Sequence, residues 1–516
     1  MIADPAVRPS AMSIAGLIAL SVILLSVSFA PLGQFYFAWF ALAPFFVAMQ
    51  NVRSQGRAML WGWLGGLLFF GGNMWWLTYV TVPGMFALVG YLALYWGFAA
   101  MLVRGCGLLT SRRLPIGALL MAAGWTALDF VRGSYSMFGA HGLPWLYLGD
   151  TQTPFLTVCQ IADITGVYGV TFLIVLVNMV IARAWLERRW HCFSTIATAG
   201  LLMGTIGYGI YRIKQPATFS GPTVLVIQPN YPQSNSGDKG ATAEEIVNFH
   251  VHETKIALNE CAKASQHVDL VVWSETMMPP LNPETRAYAR GTQYGDFLEN
   301  TSQSIANLAN EFQTSFLVGA TFANDWQWVK DADGRQSAMP LDHRNSAYLY
   351  NDVGLMDTAR YDKIQLLPFG EFVPFRESIP WLYRLLVSLG PPDMKFYELT
   401  AGQPDALTVF KLDVDSDNRK PTYRFVVPIC FEDIVSPLVT DLMRSRTGNS
   451  PTESARDKRA DFLVNITNDG WFRAGEQQQH LQAAVFRSIE NRVPTARSVN
   501  SGVSGFIDSL GHESDL

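Results

Sequence analysis

The chain has 516 residues, of which 49% are hydrophobic and 16% charged, and its formal net charge is −5. A negative charge argues against nucleic acid as a partner, because phosphate binding needs a basic surface. The five cysteines show no paired spacing such as C-x-x-C, so neither a zinc site nor a disulfide framework is indicated. The sequence also has no P-loop or dinucleotide fingerprint, so we expect no metal and no cofactor.

Residues 1–212 are predicted to form a transmembrane domain of about seven helices. A spanning helix needs about 17–25 mostly apolar residues. Segments that reach or approach this length are 13–30, 35–49, 58–80, 85–103, 116–131, 167–185 and 194–211. The first has no basic run before it and is followed by further spans, which favours a helix over a signal peptide. The second is short, and a re-entrant segment is the alternative to a crossing.

Arginines mark alternate connections between these segments. They follow the second, fourth and sixth segments, at positions 53, 57, 104, 112, 113, 183, 188 and 189, whereas the other connections are nearly free of basic residues. By the positive-inside rule the arginine-bearing loops are cytoplasmic. Seven crossings then place the rest of the chain on the other side of the membrane.

Three polar residues fall within the predicted spans. Asn73, Asp129 and Asn178 are costly at membrane depth, so each is a candidate functional group. The alternative is interhelical hydrogen bonding, or a position near the membrane surface. The sequence alone leaves both open.

Residues 213–516 are predicted to form an α/β domain, because strand-like apolar runs alternate with helical patterns. The predicted strands are 223–228, 270–273, 315–320, 346–350, 424–429 and 461–467, and the helices are 244–265, 297–312 and 477–492. Two polar stretches, 413–420 and 444–459, are predicted surface insertions. Catalytic groups in such folds tend to lie just past the carboxyl ends of strands.

Three side chains could together perform acyl transfer. Glu275 and Cys430 each close an apolar run, and Lys363 lies in a predicted loop. A thiol is mostly protonated at neutral pH and needs a base, which a desolvated Glu275 would supply. Lys363 and the backbone N–H of Phe431 would stabilise the oxyanion of a tetrahedral intermediate. Taken singly, such a cysteine is more often a buried structural thiol, and such charged residues are usually solvated.

The motifs around these residues are more specific. In chain order they are Val272-Trp-Ser-Glu275, Tyr361-Asp-Lys363 and Ile429-Cys-Phe-Glu432, and they resemble the Glu-Lys-Cys triad of the nitrilase superfamily. The stretches 363–374 and 467–472, with residues 480–502 and the membrane-domain motifs 129–133 and 142–145, are similar to the apolipoprotein N-acyltransferases, the membrane-bound branch of that superfamily.

This resemblance implies a nitrilase-like αββα sandwich at 213–516 and a ping-pong reaction. Cys430 would take the sn-1 acyl chain of a phospholipid, with phosphatidylethanolamine expected, as a thioester. The amine of diacylglyceryl-cysteine at the N-terminus of a diacylated apolipoprotein would then accept it. Glu371 would support Lys363, and Glu432 would hold the site around Cys430; buried structural ion pairing is the alternative for both carboxylates.

The resemblance further implies a multi-pass protein of the bacterial inner membrane, in contact with membrane lipid, with its catalytic domain on the periplasmic side; we expect a monomer. The family has an eighth, C-terminal membrane helix, whereas this sequence ends in a polar tail at 511–516, so we expect either a truncated sequence or a member that lacks this helix. Members can also carry a tryptophan soon after the Pro-Gln-Ser stretch, which is missing after Ser234.

Residues 375–397 are unusually apolar for a loop of a soluble domain. Trp381 and Leu385 favour a segment that dips into the membrane surface or covers the acyl chain. A loop packed on its own core is the alternative. Two rival functions for the chain also stay open. One is a membrane-tethered amidase or nitrilase-like hydrolase with the same triad; the other is a transporter with a soluble sensor domain, which would not need Cys430.

Overall fold

The structure is a computed structural model that describes residues 10–105, 114–135, 142–233, 239–330, 336–389, 398–414, 421–444, 458–473 and 475–516. The chain forms a helical N-terminal domain followed by an α/β domain. Most of the predicted surface insertions, at 415–420 and 445–457, and the second part of the predicted lipid-facing segment, at 390–397, lie outside the described residues.

The N-terminal domain is built from helices of very different length. They are α1 (Ala11–Ser28), α2 (Ala38–Ala41), α3 (Ala43–Asn51), α4 (Gln55–Asn73), α5 (Val82–Gly105), α6 (Leu114–Ser134), α7 (Leu156–Cys159), α8 (Ala162–Thr165), α9 (Val167–Glu187) and α10 (Cys192–Ile213). Within the described part of the chain, four helices are long and apolar enough to cross a membrane, namely α1, α5, α9 and α10. Two more, α4 and α6, have 19 and 21 residues.

The segment predicted as the second span is interrupted in the structure. Residues 35–49 form a 3-10 turn, then α2 and the start of α3, with a break at Leu42. Asn178 of α9 supplies the polar partners that this break needs. Its side-chain oxygen accepts the backbone N–H groups of Leu42 at 2.8 Å and Ala43 at 3.0 Å, and its amide donates to the Ala38 carbonyl at 2.8 Å. In an apolar domain such freed backbone groups require internal partners.

The other two polar residues of the predicted spans are also paired. Asn73 donates to Ser26 Oγ at 2.8 Å, which joins α4 to α1. Asp129 forms an ion pair with Arg132 at 3.0 Å, and Arg132 donates to the Trp145 carbonyl as well. All three side chains are therefore held by interhelical or local hydrogen bonds.

The α/β domain contains two sheets. The first has the order β1 (Val224–Ile227), β2 (Leu270–Met278), β3 (Ser315–Lys330), β4 (Gln336–Tyr350) and β5 (Met356–Asp362). The second includes β6 (Phe410–Asp413), β7 (Thr422–Val426), β8 (Phe462–Thr467), β9 (Thr495–Val499), β10 (Gly505–Ile507) and β11 (Glu513–Ser514), and runs from β11 to β6 in space. The three central strands of the second sheet, β7, β8 and β9, are parallel.

Helices flank the paired sheets, which gives the predicted αββα sandwich. They are α11 (Ala243–Lys263), α12 (Pro283–Tyr288), α13 (Gln293–Phe312), α15 (Ser436–Met443) and α16 (Gln477–Asn491), whereas α14 (Pro380–Leu389) lies in the segment between β5 and β6. Successive side chains of a strand point to opposite faces. In β2, Leu270 and Val272 belong to the core between the sheets, and Val271 and Trp273 to the core beneath the outer helices.

The two domains meet along α16. Gln479 is buried there, and its oxygen accepts the indole N–H groups of Trp76 at 3.3 Å and Trp145 at 3.0 Å. Its amide donates to the carbonyls of Asn73 at 3.1 Å and Ala30 at 3.4 Å. One side chain of the α/β domain thus joins the ends of α1 and α4 to the loop after α6.

The same end of the helical domain carries further contacts to the α/β domain. Glu490 accepts the N–H of Val167 at 2.8 Å, at the start of α9, and Arg492 pairs with Asp163 at 2.7 Å. The opposite end holds arginine: Arg104, in the last turn of α5, donates to the carbonyl of Val52 at 2.6 Å. Val52, directly after α3, and Arg104, near the end of α5, therefore lie together, remote from the α/β domain.

Candidate active site

Glu275 lies in an irregular part of β2. The register between β2 and β3 shifts between Trp273 and Met278, so the residues between them leave the regular ladder. Thr276, directly after Glu275, has a φ of +50°, a conformation that is an outlier for a β-branched residue. On β3, a Cβ at Gly319 would lie 2.4 Å from the carbonyl oxygen of Ser274, so only glycine allows this close approach.

The Glu275 carboxylate is buried and held from one side. Its Oε1 accepts the Asn345 amide at 2.5 Å and lies 3.4 Å from Lys363 Nζ. Its Oε2 is buried without a hydrogen-bond partner from nitrogen or oxygen groups of the described residues. Burial raises the pKa of the Glu275 carboxyl above its ordinary value, although Lys363 and a hydrogen bond with Cys430 act to lower it.

Lys363 follows β5 directly and lies between two carboxylates. Its Nζ is 2.7 Å from Glu371 Oε1 and 3.4 Å from Glu275 Oε1, and the side chain is 1% exposed. Burial acts to lower the pKa of Lys363, but the charge of Cys430 when it is ionised and the negative charges of Glu371 and Glu275 outweigh it and hold the pKa well above its usual range. The ammonium is therefore charged throughout the physiological pH range. Glu371 is fixed in turn by the Leu367 N–H at 2.8 Å.

Cys430 begins a 3-10 turn, Cys430–Ile434, at the end of the strand-like run after β7. Its φ is +52°, which a residue with a Cβ adopts at a cost of about 1–3 kcal/mol and which is typical of functional sites. Burial and the negative charge of Glu275 raise the pKa of the thiol far above its usual value. The resting group is therefore a thiol. Phe431 follows, in the first turn of the 3-10 segment, where N–H groups have no acceptor within the helix.

Glu432 ties the Cys430 turn to the Lys363 loop. It is fully buried, and one oxygen accepts the N–H groups of Ile364 at 2.7 Å and Gln365 at 2.8 Å. The other oxygen accepts the N–H of Ile429 at 2.8 Å and the hydroxyl of Tyr361 at 3.0 Å. Burial raises the pKa of Glu432 to about 7, although the three backbone N–H groups and the charge of Lys363 act to lower it.

A buried charge network lies behind the thiol. His480 is 2.8 Å from Asp433, 2.9 Å from Asp469 and 3.1 Å from Glu476. Arg497 pairs with both aspartates. Burial acts to lower the pKa of His480, but Asp433 and Asp469 outweigh it and raise the pKa well above its usual value, so the ring is an imidazolium.

Asp469, Glu476 and His480 have metal-ligand spacing, with their donor atoms within 4.8 Å of one another. Both ring nitrogens of His480 point at carboxylates, and Arg497 brings a second positive charge. An imidazolium has no lone pair to offer a metal ion. This donor set therefore suits a structural charge network better than a cation site.

The structure brings together all six residues that the sequence selected. Glu275, Lys363 and Cys430 meet between the two sheets, with Glu371 and Glu432 fixing the Lys363 loop and Phe431 beside the thiol, as described above. Sequence reasoning missed Asn345, the partner of Glu275. The only available signal was a polar pair, 345–346, just before the apolar end of β4.

The predicted lipid-facing segment contains α14. Trp381 is 64% exposed and Leu385 48% exposed, so neither is packed on the domain core. Arg376, which precedes α14, contacts Glu398, which follows the segment. This contact joins the two ends of the segment. The first part of this segment thus presents apolar side chains outward.

Comparison with known proteins agrees with this geometry. A family model described as Carbon-nitrogen hydrolase matches residues 224–513, which is more than half of the chain. The fold and site thus define a member of the carbon-nitrogen hydrolase superfamily. A second model, described as Apolipoprotein N-acyltransferase N-terminal domain, matches residues 21–180.

Relatives match over nearly the whole chain. The apolipoprotein N-acyltransferase of Geobacter metallireducens is 31% identical over 518 residues, covering 96% of this chain and 85% of that protein. The apolipoprotein N-acyltransferase of Methylococcus capsulatus is 28% identical, covering 95% of this chain and 84% of that protein. The chain belongs to the apolipoprotein N-acyltransferase family. It is a membrane protein and an acyltransferase of lipoprotein maturation, and the rival interpretation as a hydrolase has less support.

Among solved structures, an amidase from Nesterenkonia sp. AN1 is similar with a TM-score of 0.32 and 12% identity, covering 56% of this chain and 86% of that chain.

Proposed function

We propose that Cys430 carries an acyl chain from the sn-1 position of a phospholipid, phosphatidylethanolamine being the expected donor, to the N-terminal amine of a diacylated apolipoprotein. The observation that carries this proposal is the convergence of a buried thiol, a buried carboxylate hydrogen-bonded to it and an ammonium that stays charged. Family membership supports the choice of lipid donor and lipoprotein acceptor.

In the first step Glu275 takes the thiol proton as the sulfur attacks the ester carbonyl. Because the pKa of the Cys430 thiol is raised, the resting site contains the thiol and not the thiolate. The base must therefore take the proton during the attack. A raised pKa also makes Glu275 a stronger base than an ordinary carboxylate. Lys363 and the Phe431 N–H face the oxyanion. Collapse breaks the bond to the glycerol oxygen, which takes the proton from Glu275 and leaves as a lysophospholipid.

In the second step the amine of diacylglyceryl-cysteine attacks the thioester. Glu275 accepts a proton from the amine, the sulfur leaves, and an amide forms. The proton then returns to Cys430, so the site ends as it began. One base serves both steps, and the chemistry balances without a metal or a nucleotide.

We further propose that the α/β domain lies on the periplasmic side of a bacterial inner membrane. The support is the arginine pattern together with its position: Arg104 lies at the end of the helical domain opposite the α/β domain. Both substrates are lipids anchored in the outer leaflet of that membrane, on the side of the thiol. We propose a monomer, because all the candidate catalytic groups come from one chain.

The test is mass spectrometry of the full-length protein purified from membranes and incubated with phosphatidylethanolamine vesicles. We expect an acyl adduct on Cys430 that hydroxylamine removes, and its transfer to a diacylated lipopeptide. Cys430→Ala should show neither, with Cys261→Ala as the matched cysteine control. If the thiol stays unmodified while lipopeptide is acylated, or if free fatty acid is the only product, the proposal is wrong.

A further inference from the structure

Lys239 lies beside the candidate base and has no role in the reaction described above. It precedes α11 and is half-buried in the α/β domain. Its Nζ donates a hydrogen bond to the backbone carbonyl of Thr276. That carbonyl belongs to the irregular part of β2, where the ladder with β3 is interrupted. Lys239 thus provides a hydrogen-bond donor at the point where the sheet is irregular.

The hydrogen bond from Lys239 to Thr276 bears on Glu275 because of the backbone conformation of Thr276. Its backbone has a φ of +50°, and it is the residue next to Glu275. A β-branched residue in this conformation costs free energy and persists only where its surroundings hold it. The hydrogen bond from Lys239 is one such constraint. If it is removed, the peptide can relax toward a regular strand, in which Glu275 would turn away from Cys430.

The positive charge of Lys239 also supports Glu275 in its role as the base. Burial lowers the pKa of Lys239 to about 8, although the negative charge of Glu275 acts to raise it. The effect of Glu275 places the ammonium within electrostatic reach of the carboxylate. At neutral pH the ammonium is therefore charged and favours the ionised form of Glu275. The other titratable groups that face this pair are His250 beside Lys239, and Lys363, Glu371 and Cys430 around Glu275.

We propose that Lys239 is a positioning residue for the acyl transfer, which holds the Thr276 carbonyl and supplies a second positive charge beside Glu275. It acts through Glu275 and does not touch the reacting atoms. This inference rests on the proposed function, because it assumes that Glu275 is the base. An alternative for an ammonium here is binding the phosphate of the phospholipid donor, and the test below separates the two.

The experiment measures the acylation rate of Cys430 against pH in the full-length protein, with phosphatidylethanolamine vesicles and with soluble p-nitrophenyl butyrate, which has no phosphate. For Lys239→Met we expect the acid limb of the profile to move up by about 1 pH unit, the lower end for loss of a neighbouring opposite charge. That shift lowers the rate about tenfold on the acid side with both donors. Lys239→Arg, which keeps charge and donors, should restore the limb.

Lys255→Met is the matched control, since Lys255 lies on α11 in an exposed ion pair with Glu311. An unchanged acid limb in Lys239→Met overturns the inference. So does a loss confined to the KM for phospholipid, which would indicate phosphate binding. Cys430→Ala is measured in parallel. If it still transfers acyl chains, the proposed function fails; if it is inactive while Lys239→Met behaves as wild type, only the present inference fails.

Discussion

Replacing Glu432 by glutamine tests whether one buried carboxylate holds the two catalytic loops together. At pH 8 the wild-type group is ionised, because its pKa is about 7. It accepts four hydrogen bonds, two on each oxygen. In Glu432→Gln the amide oxygen can keep the N–H groups of Ile364 and Gln365. The amide nitrogen can donate to the Tyr361 hydroxyl, but the N–H of Ile429 then faces a donor and is left unsatisfied.

The expected cost follows from these changes. An unsatisfied buried N–H costs about 1–3 kcal/mol, and two charge-assisted hydrogen bonds become neutral and weaker. We therefore expect a loss of about 2–4 kcal/mol. For a domain of this size, that is a fall in Tm of roughly 4–8 °C at about 2 °C per kcal/mol. Tyr361→Phe removes only one of the four hydrogen bonds to the ionised carboxylate and should cost about 1.5 kcal/mol.

The assay is thermal unfolding of the full-length protein in detergent, followed by intrinsic fluorescence at pH 8, alongside the rate of Cys430 acylation. Glu260→Gln, at an exposed position of α11, is the matched control. We expect Glu432→Gln to lose both stability and acylation rate, because Cys430 and Lys363 lose their common support. A Tm within 2 °C of the control, or a larger loss in Tyr361→Phe than in Glu432→Gln, would refute the reasoning.

Three further substitutions have defined outcomes. Asn345→Leu removes a hydrogen bond that favours the ionised form of Glu275, so the pKa of Glu275 rises further above the ordinary carboxyl value. The acid limb of the pH profile of acylation should therefore move to higher pH, and an unmoved limb contradicts this. Trp381→Glu should reduce acylation from vesicles more than acylation from p-nitrophenyl butyrate. Leu355→Glu, at another exposed position, should affect neither rate. Equal losses with both donors would contradict a contact between Trp381 and the membrane. Gln479→Leu leaves the buried indole N–H of Trp145 unpaired, whereas the Trp76 indole keeps the Asn73 carbonyl, so it should cost about 1–3 kcal/mol in thermal unfolding. A Tm equal to that of its exposed neighbour variant Gln478→Leu would contradict the interface.

Two residues of the candidate site became candidates because they follow apolar runs in the sequence, but the selection of the whole set rested on the motifs around them, which resemble those of a known family. A charged or reactive group directly after an apolar run is unusual, and Glu275 and Cys430 both have this position in the sequence. The placement of Lys363 was less accessible, since β5 is a partly exposed edge strand of mixed polarity that shows no apolar run. The structure therefore puts Lys363 at a strand end, where the sequence predicted only a loop.

Other features depend on contacts that are distant along the chain. The predicted strands were found, but β5, β6, β9, β10 and β11 were not predicted, because they are short or carry polar residues. The interruption at Leu42 is stabilised by Asn178, 136 residues away, and composition alone favoured a continuous helix. The charge network around His480 likewise gathers groups from separate elements, which no local pattern predicts.

The contact surface of α16 has a consequence for dissecting this protein. Glu490 and Gln479 are committed to partners in the helical domain, and Arg492, just after α16, pairs with Asp163 there. A soluble fragment that begins after α10 would expose these buried groups to water. It would also leave the Cys430–Ile434 turn without the support of the helical domain. Expression of the α/β domain by itself would therefore require a redesigned α16, and an inactive or insoluble fragment would say nothing against the site.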